Sequence, residues 1–368
     1  MHYRESYIDI NLNNIEYNIN TIRNNSNKLF IAVIKANGYG LGDLELAKIA
    51  IKCNAIYLAV SSLDEAISLR DKGVEHPILI LGYVDVSNLN LVREYKFTIV
   101  TSSIKWVREA SNYIKDINVH IKINTGMNRL GLNNIEELKE TLVLFKDSNI
   151  EGIFTHLTSS DEPNIESNYN QYKLFKEYVE YNNINYKYIH ISNTDACCNK
   201  EYDICNCVRV GLGMLGYSSV VNNLRPSISL KSKVINCHKV LKGHTISYSK
   251  TYELKDNEYI ITLPIGYADG VIRAHQNKEV YIDGELGIIV GRICMDMLMV
   301  KVNKEYPLMT EVELFGNHIS LYDFANRVNT IPYEILVLLS ERLVKKYLYN
   351  DQVIYEITPR FRRGNKDD

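Results

Sequence analysis

The chain has 368 residues, 46% hydrophobic and 23% charged, which is ordinary for a soluble globular protein of about two domains. Lys+Arg 42 against Asp+Glu 44 leaves a net charge of −2, so no general basic excess points to nucleic acid. No apolar run approaches the roughly 20 residues that span a bilayer, and the acid-bearing start is not a signal peptide. Seven cysteines, an odd number, read as reduced thiols in a cytoplasmic protein rather than as a disulfide framework.

Short runs rich in Ile, Val and Phe recur through the first two thirds. They are 29–35, 56–60, 78–81, 97–100, 119–123, 150–155, 188–191 and 207–210. Runs this short and apolar suit parallel strands buried on both faces. Between them lie helical spacings: Leu12, Ile15, Ile19 and Ile22; Leu44, Ala47, Ile49 and Ile51; Ile135, Leu138, Leu142 and Phe145; Leu174, Tyr178 and Tyr181. Eight strands alternating with helices predict an α/β fold, a (β/α)8 TIM-type barrel over 1–225. An open doubly wound sheet is the alternative. From Ser227 the runs alternate polar and apolar, which marks antiparallel strands with one wet face. A mainly β C-terminal domain is expected over 226–368, with a helix over 333–346.

Barrel active sites lie at the C-terminal ends of the strands. Lys35 ends the first strand before Ala36-Asn37-Gly38-Tyr39-Gly40, where desolvation lowers an amine's pKa and frees it as a nucleophile. A surface lysine at a turn has the same spacing. His120 and Lys122 share one face of the fifth strand, and a charge there needs a partner. The Arg129 loop follows. His156, His190, Asn193, Thr194, Arg209 and Gly211 stand in or after strands six to eight, and hydroxyls and backbone N–H groups there suit a phosphate. Gly211-Leu-Gly213-Met-Leu-Gly216 matches G-x-G-x-x-G, but no helix-forming run follows and no acid lies about 20 residues on, so no dinucleotide is expected. Cys197, Cys198, Cys205 and Cys207 are the best metal candidates, yet their spacing does not fit a zinc site, and no metal is expected. Tyr248, Tyr267 and Met295 stand beside turn residues of the second domain, where ordinary packing also explains them.

The segments AVIKANGYGLG, HIKINTGMNRLG, VRVGLGMLGY, ISYSKTY, PIGYADG and GRICMD together resemble the alanine racemase family, in its order and spacing, from about Tyr7 to about Tyr347. The resemblance implies an isomerase that uses pyridoxal phosphate to interconvert L- and D-alanine. The resemblance also implies a homodimer with shared active sites. Position by position, Lys35 matches the lysine that holds the cofactor, and Tyr248 the second base, supplied by the partner subunit. Tyr39, Thr194 and the Gly211 backbone match phosphate contacts. His156 and Asn193 match cofactor neighbours, and Arg209 the arginine at the pyridine nitrogen. Arg129 matches the residue at the substrate carboxylate, Met295 a further carboxylate contact from the partner, and Tyr267 a gating residue. Lys122 matches a lysine that is often carbamylated and then fixes Arg129. Several positions depart from the family pattern: Asn37, Leu41, Asn124, the run Leu157-Thr-Ser-Ser-Asp161, and Glu341 where many relatives place a phosphate-binding tyrosine. The last two are similar to the serine racemase modules of vancomycin resistance, and leave serine or a broader amino-acid preference as the alternative. D-alanine supply for the cell wall, control of germination and resistance are all compatible settings.

Overall fold

The structure is a computed structural model that describes residues 4–162, 165–181, 184–199 and 201–358. It divides into two compact units. One comprises Asn14–Arg225; the other joins the residues up to Asn13 with those from Pro226 onward.

The first strand of the chain, β1 (Tyr7–Asn11), belongs to the second unit. The first unit is a closed parallel barrel of β2 (Leu29–Val33), β3 (Tyr57–Val60), β4 (Ile78–Ile80), β5 (Thr98–Val100), β6 (Asn118–Lys122), β7 (Asn149–Phe154), β8 (Tyr188–His190) and β9 (Cys207–Val210). Closure is direct: Leu29 to Ala32 pair in register with Cys207 to Val210. Every residue of β3, β4, β5 and β9 is buried, because side chains fill the barrel on one face and helices cover the other.

The helices start where side chains can take up free N–H groups. The Ser62 side chain accepts from the Glu65 N–H, that of Ser103 from Trp106, and that of Asn134 from Glu137. The link from β8 to β9 runs as turns among the described residues, without a long helix. Its Thr194–Cys198 turn carries residues of the site described below.

In the second unit a ten-stranded sheet contains β10 (Ile228–Lys233), β11 (Asn236–Val240), β14 (Glu258–Leu263), β15 (Glu279–Ile282), β16 (Glu285–Val290), β17 (Leu298–Val302), β18 (Glu311–Phe315), β19 (Val344–Tyr349) and β20 (Gln352–Ile357). The tenth is β1, antiparallel to β10 and parallel to β19. A separate two-stranded ribbon, β12 (Thr245–Ile246) with β13 (Tyr252–Glu253), precedes β14.

Two expectations change. The barrel begins at Asn14 rather than at residue 1, because Tyr7–Asn11 is hydrogen-bonded into the second unit's sheet. Its own alternation already favours that role. The expected helix over 333–346 stops at Leu338, and Leu339 takes extended backbone with ψ 122°. Val344–Tyr349 is a strand instead. Apolar spacing suited either element, and ladder bonds to β1 on one side and β20 on the other decide it. Among the described residues no helix is long and apolar enough to cross a membrane.

Candidate active site

Lys35 follows β2 directly. After it, Ala36 (φ 55°), Asn37 (φ 53°), Gly38 (φ 61°) and Tyr39 (φ 56°) all take left-handed backbone. Only glycine visits that region freely, so three of these residues are held there at a cost of about 1 kcal/mol each. Three backbone bonds hold them: Gly38 N–H to Ile34 O, Gly40 N–H to Ala36 O and Gly42 N–H to Asn37 O, at 2.9, 2.8 and 2.9 Å. The Glu65 carboxylate completes the clamp. Its Oε1 accepts from Ala36 N–H and its Oε2 from Ser61 N–H, both at 2.7 Å.

Glu65 was not among the sequence candidates, although the signal is legible. Ser62-Leu-Asp-Glu65 reads as a capping box, but the glutamate reaches one residue further back and also across to the Lys35 turn. Lys35 is open to solvent at the mouth. Its amine is nonetheless shifted below its usual range, first by partial burial and then by the positive charge of Arg129, against a smaller opposing effect of Glu65.

Tyr39, Thr194, Gly211 and Gly213 meet in one cradle. A Cβ on Gly211 would lie 2.0 Å from the Tyr39 hydroxyl oxygen, and one on Gly213 would lie 2.5 Å from Thr194 Cγ2. Only glycine leaves this space. The Thr194 hydroxyl oxygen accepts from Gly211 N–H at 3.4 Å and Gly213 N–H at 3.2 Å. Asn193 Nδ2 donates to Ser160 Oγ at 2.6 Å, which ties this turn to the loop after β7. The G-x-G-x-x-G run itself forms a single 3-10 turn, Leu212–Leu215, closed by Gly216 at φ 93°. It does not open the long helix that a dinucleotide site requires.

Arg209 lies in the barrel, fully buried. Its Nη2 donates to Thr155 O, Ile191 O and His156 Nδ1, each at 3.0 Å. Its Nη1 donates to His190 Nδ1 at 2.7 Å and His190 O at 3.2 Å. All five acceptors are neutral. Arginine has no acceptor of its own, so the hydrogen-bond pattern fixes the tautomers. His190 accepts at Nδ1 and donates from Nε2 to His120 Nδ1 at 2.9 Å. His120 then carries its proton on Nε2, which has no hydrogen-bond partner among the described residues. Gly152 makes the space for that ring: a Cβ there would lie 2.8 Å from His120 Nδ1.

Burial, aided by the Arg209 charge, pushes His120 down to about 3 and keeps His190 well below its ordinary value. Burial, with Arg209 next, pushes His156 down to about 3 as well. Arg209 itself falls to about 10, chiefly through burial, and remains a cation.

Lys122 ends β6 inside the same cluster, its Nζ 5.7 Å from the centre of the Phe154 ring. Burial, then Arg129 and Arg209, push its amine down to about 8. Arg129 is exposed at the mouth, on a loop shaped by Asn124. Asn124 Oδ1 accepts from Gly126 N–H at 3.3 Å and Asn128 N–H at 2.9 Å. Gln171 is a second residue that the sequence did not single out for the site. Its Oε1 accepts from Thr158 N–H and hydroxyl, and its Nε2 donates to Thr125 Oγ1 and His156 O, so it pins the chain around His156. No short motif marks a glutamine in mid-helix for this task.

The barrel unit thus brings together Lys35, Tyr39, Lys122, Arg129, His156, Asn193, Thr194, Arg209 and Gly211. Tyr248, Tyr267 and Met295 stand on the second unit, 69%, 41% and 52% exposed. Ser247 (φ 65°) and Ser249 (φ 58°) flank Tyr248 in left-handed backbone. Ser247 Oγ donates to Arg292 O at 2.5 Å, and Arg292 Nη1 donates to Ser249 Oγ at 2.6 Å. Gly266 lets the Tyr267 segment lie against Cys294–Met295: a Cβ there would meet the Cys294 oxygen at 2.3 Å. Tyr267 N–H donates to Cys294 O, and Ala268 N–H to Met295 O. Glu341 is exposed, while its neighbour Arg342 bonds Asp296 at 2.6 Å. Among the described residues no group of His, Cys, Asp and Glu has the geometry to hold a metal ion.

Comparison with known proteins puts this geometry in context. The family model for the alanine racemase N-terminal domain matches residues 10–219, and that for the C-terminal domain matches 227–347. An alanine racemase of Staphylococcus epidermidis is 36% identical, with 96% of this chain and 98% of that protein covered. One from Anoxybacillus flavithermus is 37% identical over 96% of this chain and 97% of its own length. The crystal structure of alanine racemase from Bacillus anthracis with bound L-Ala-P superposes with a TM-score of 0.91 at 33% identity, covering 97% of this chain and 98% of that one.

Glu65→Ala frees two N–H groups beside a strained turn and should lower unfolding free energy by about 1–2 kcal/mol, measured in urea. A variant as stable as the parent would show that the clamp is dispensable. Acid should also destabilise the fold. His120 stays neutral when folded but binds a proton near pH 6.5 when unfolded, so its contribution is absent above that pH and grows as pH falls. Between pH 6.5 and 5 it amounts to about 2 kcal/mol. Calorimetry over that interval should show Tm falling, and less steeply in His120→Asn.

Proposed function

The chain belongs to the alanine racemase family, and we propose that it interconverts L- and D-alanine with pyridoxal phosphate, using Lys35 and Tyr248 as opposed bases. The observation that carries this reading is the cradle at the barrel mouth. Tyr39 faces Gly211 where a Cβ would have no room, Thr194 accepts from Gly211 N–H, and the charges of Lys35 and of the buried Arg209 both act on His156 nearby. A phosphate suits hydroxyls and backbone N–H groups of this kind. A ring bearing that phosphate would have the Lys35 amine and the Arg209 cation within reach of it.

When bound, pyridoxal phosphate supplies an electron sink for the pair left at Cα as its proton departs. The chain's own residues do the rest. Lys35, its amine shifted down by burial and then by Arg129, takes the Cα proton on one face. Tyr248 returns a proton to the other face. An exposed tyrosine whose flanking serines are both bonded to Arg292 suits a residue that completes another subunit's site, and we therefore infer a homodimer with shared sites. Arg209 cannot give up its proton to a ring nitrogen, because even at about 10 it is charged at neutral pH. It would therefore leave a ring nitrogen set against it unprotonated, which would moderate the sink and favour prompt return of the proton over side reactions.

Arg129 would face the substrate carboxylate, with the Met295 backbone from the partner, and Tyr267 would gate access. His156 and Asn193 would line the cofactor. Lys122 is ready for carbamylation. An amine at about 8 has a substantial neutral fraction at pH 7–8, its nitrogen attacks carbon dioxide, and loss of one proton leaves a carbamate anion. That anion pairs with Arg129, where the ammonium would repel it. The seven cysteines are free thiols, which supports a cytoplasmic setting.

Serine is the second reading. Thr158, Ser159 and Ser160 follow His156, Ser160 already contacts Asn193, and Glu341 stands where many relatives have tyrosine.

The test is formation of D-enantiomer from L-alanine and from L-serine by the purified protein with pyridoxal phosphate. Alanine should be the faster substrate, and greater turnover of serine would transfer the assignment to it. Tyr248→Phe should keep the bound-cofactor absorbance and lose racemisation by roughly a hundredfold or more; full activity would overturn the two-base reading. For Lys122, activity should fall about tenfold in buffers purged of carbon dioxide and recover with bicarbonate. No dependence on bicarbonate, with no carbamate carbon in labelled NMR spectra, would end that assignment.

A further inference from the structure

The turn that carries Thr194 also carries two adjacent cysteines. Cys197 is fully buried and Cys198 half-buried, with their sulfurs 3.5 Å apart. Cys197 N–H donates to Thr194 O at 3.2 Å, and Ala196 N–H to Asn193 Oδ1 at 3.3 Å. Asp195 binds the Ser218 hydroxyl at 2.5 Å. Anything that moves Cys197 therefore pulls on the backbone of Thr194, whose hydroxyl holds Gly211 N–H and Gly213 N–H.

We propose that Cys197 and Cys198 are a peroxide-sensitive dithiol that controls the phosphate-binding turn. The link to phosphate rests on the reading of Thr194 given above; the dithiol itself does not.

The chemistry requires one reactive and one resolving sulfur, and the two differ in the right way. Cys198 is the accessible one. The hydrogen bond from Cys197, with some help from Lys28, pushes it down to about 7, whereas that same bond and burial raise Cys197. Cys205 and Cys207 are buried thiols held up at about 11 and 12 by burial.

With hydrogen peroxide as oxidant, the Cys198 thiolate attacks one peroxide oxygen and the O–O bond breaks. Hydroxide leaves and is protonated to water, and Cys198 becomes a sulfenic acid. The Cys197 sulfur then attacks the Cys198 sulfur, its proton leaves with the displaced hydroxyl as a second water, and an S–S bond forms. Two thiols and one peroxide give one disulfide and two waters; the sulfurs lose the two electrons that reduce the peroxide.

Closure brings the sulfurs from 3.5 Å to about 2.05 Å. Adjacent Cα atoms are only about 3.8 Å apart, below the usual span of about 4.4–6.8 Å, so the ring closes only if the turn repacks. The Cys197 N–H to Thr194 O bond is the first that such repacking disturbs. A ring of this kind is also readily reduced, which makes the change reversible.

The test uses the holoenzyme. It is exposed to limiting peroxide, alkylated and digested; the tryptic peptide 188–200 contains Cys197 and Cys198 and no other cysteine. That peptide should escape alkylation and weigh two hydrogens less than its reduced form, and dithiothreitol should reverse both changes. The apparent Kd for pyridoxal phosphate should rise about tenfold on oxidation, the size expected for one lost hydrogen bond. Cys198→Ser, with Cys198→Ala as a second variant, should bind cofactor like the parent and ignore peroxide. Alkylation of both cysteines after peroxide, over-oxidation of Cys198 without a disulfide, or a disulfide with unchanged cofactor affinity would each overturn the proposal. A reduced protein that binds no pyridoxal phosphate would instead end the cofactor reading. The peptide map would then decide the dithiol alone.

Discussion

The structure of the barrel site depends on one buried cation, Arg209, that has no carboxylate to neutralise it among the described residues. Removing a guanidinium from water costs several kcal/mol unless its donors are all used. Here the two Nη groups donate to three main-chain oxygens and two imidazole nitrogens. Those acceptors come from the ends of β7 and β8, so satisfying the charge also locks the strand ends together. A carboxylate in the same place would satisfy the charge more simply. It would also cancel the positive field that, after burial, depresses His156 and Lys122.

The histidines follow from that choice. Each must be neutral to accept from Arg209, and each is kept neutral by burial and by the cation itself. His190 passes its donor to His120, whose own Nε2–H ends in the barrel among the rings of Tyr57 and Tyr188. One unpaired buried N–H is a real cost. His120 is the last residue of a polar chain that runs from Arg209 through His190. Gly152 is part of the same arrangement, since any side chain there would displace the His120 ring.

Strain is concentrated at the other edge of the site. Ala36, Asn37 and Tyr39 in left-handed backbone present the Tyr39 hydroxyl to Gly211 and leave Lys35 at the mouth. The turn is held from outside by Glu65 and from below by β2. Rigid support of this kind keeps a lysine on a short turn from wandering, which matters when a proton must be moved to and from one defined face.

Much of this was legible from the residues alone. Apolar runs too short for helices and too uniform for half-wet strands implied eight buried parallel strands. Alternation after Ser227 implied the antiparallel sheet. Polar side chains at five strand ends pointed to a site, because a charge on a buried strand needs a partner. The strand inferences hold because side-chain period and burial cost are local properties of the chain. Only the tertiary structure decided three things: that Tyr7–Asn11 joins a sheet formed by residues more than 200 positions away, that Val344–Lys346 is strand rather than helix, and that Glu65 and Gln171 hold the site. Each depends on a hydrogen-bond partner distant in sequence, and no local period carries the address of such a partner.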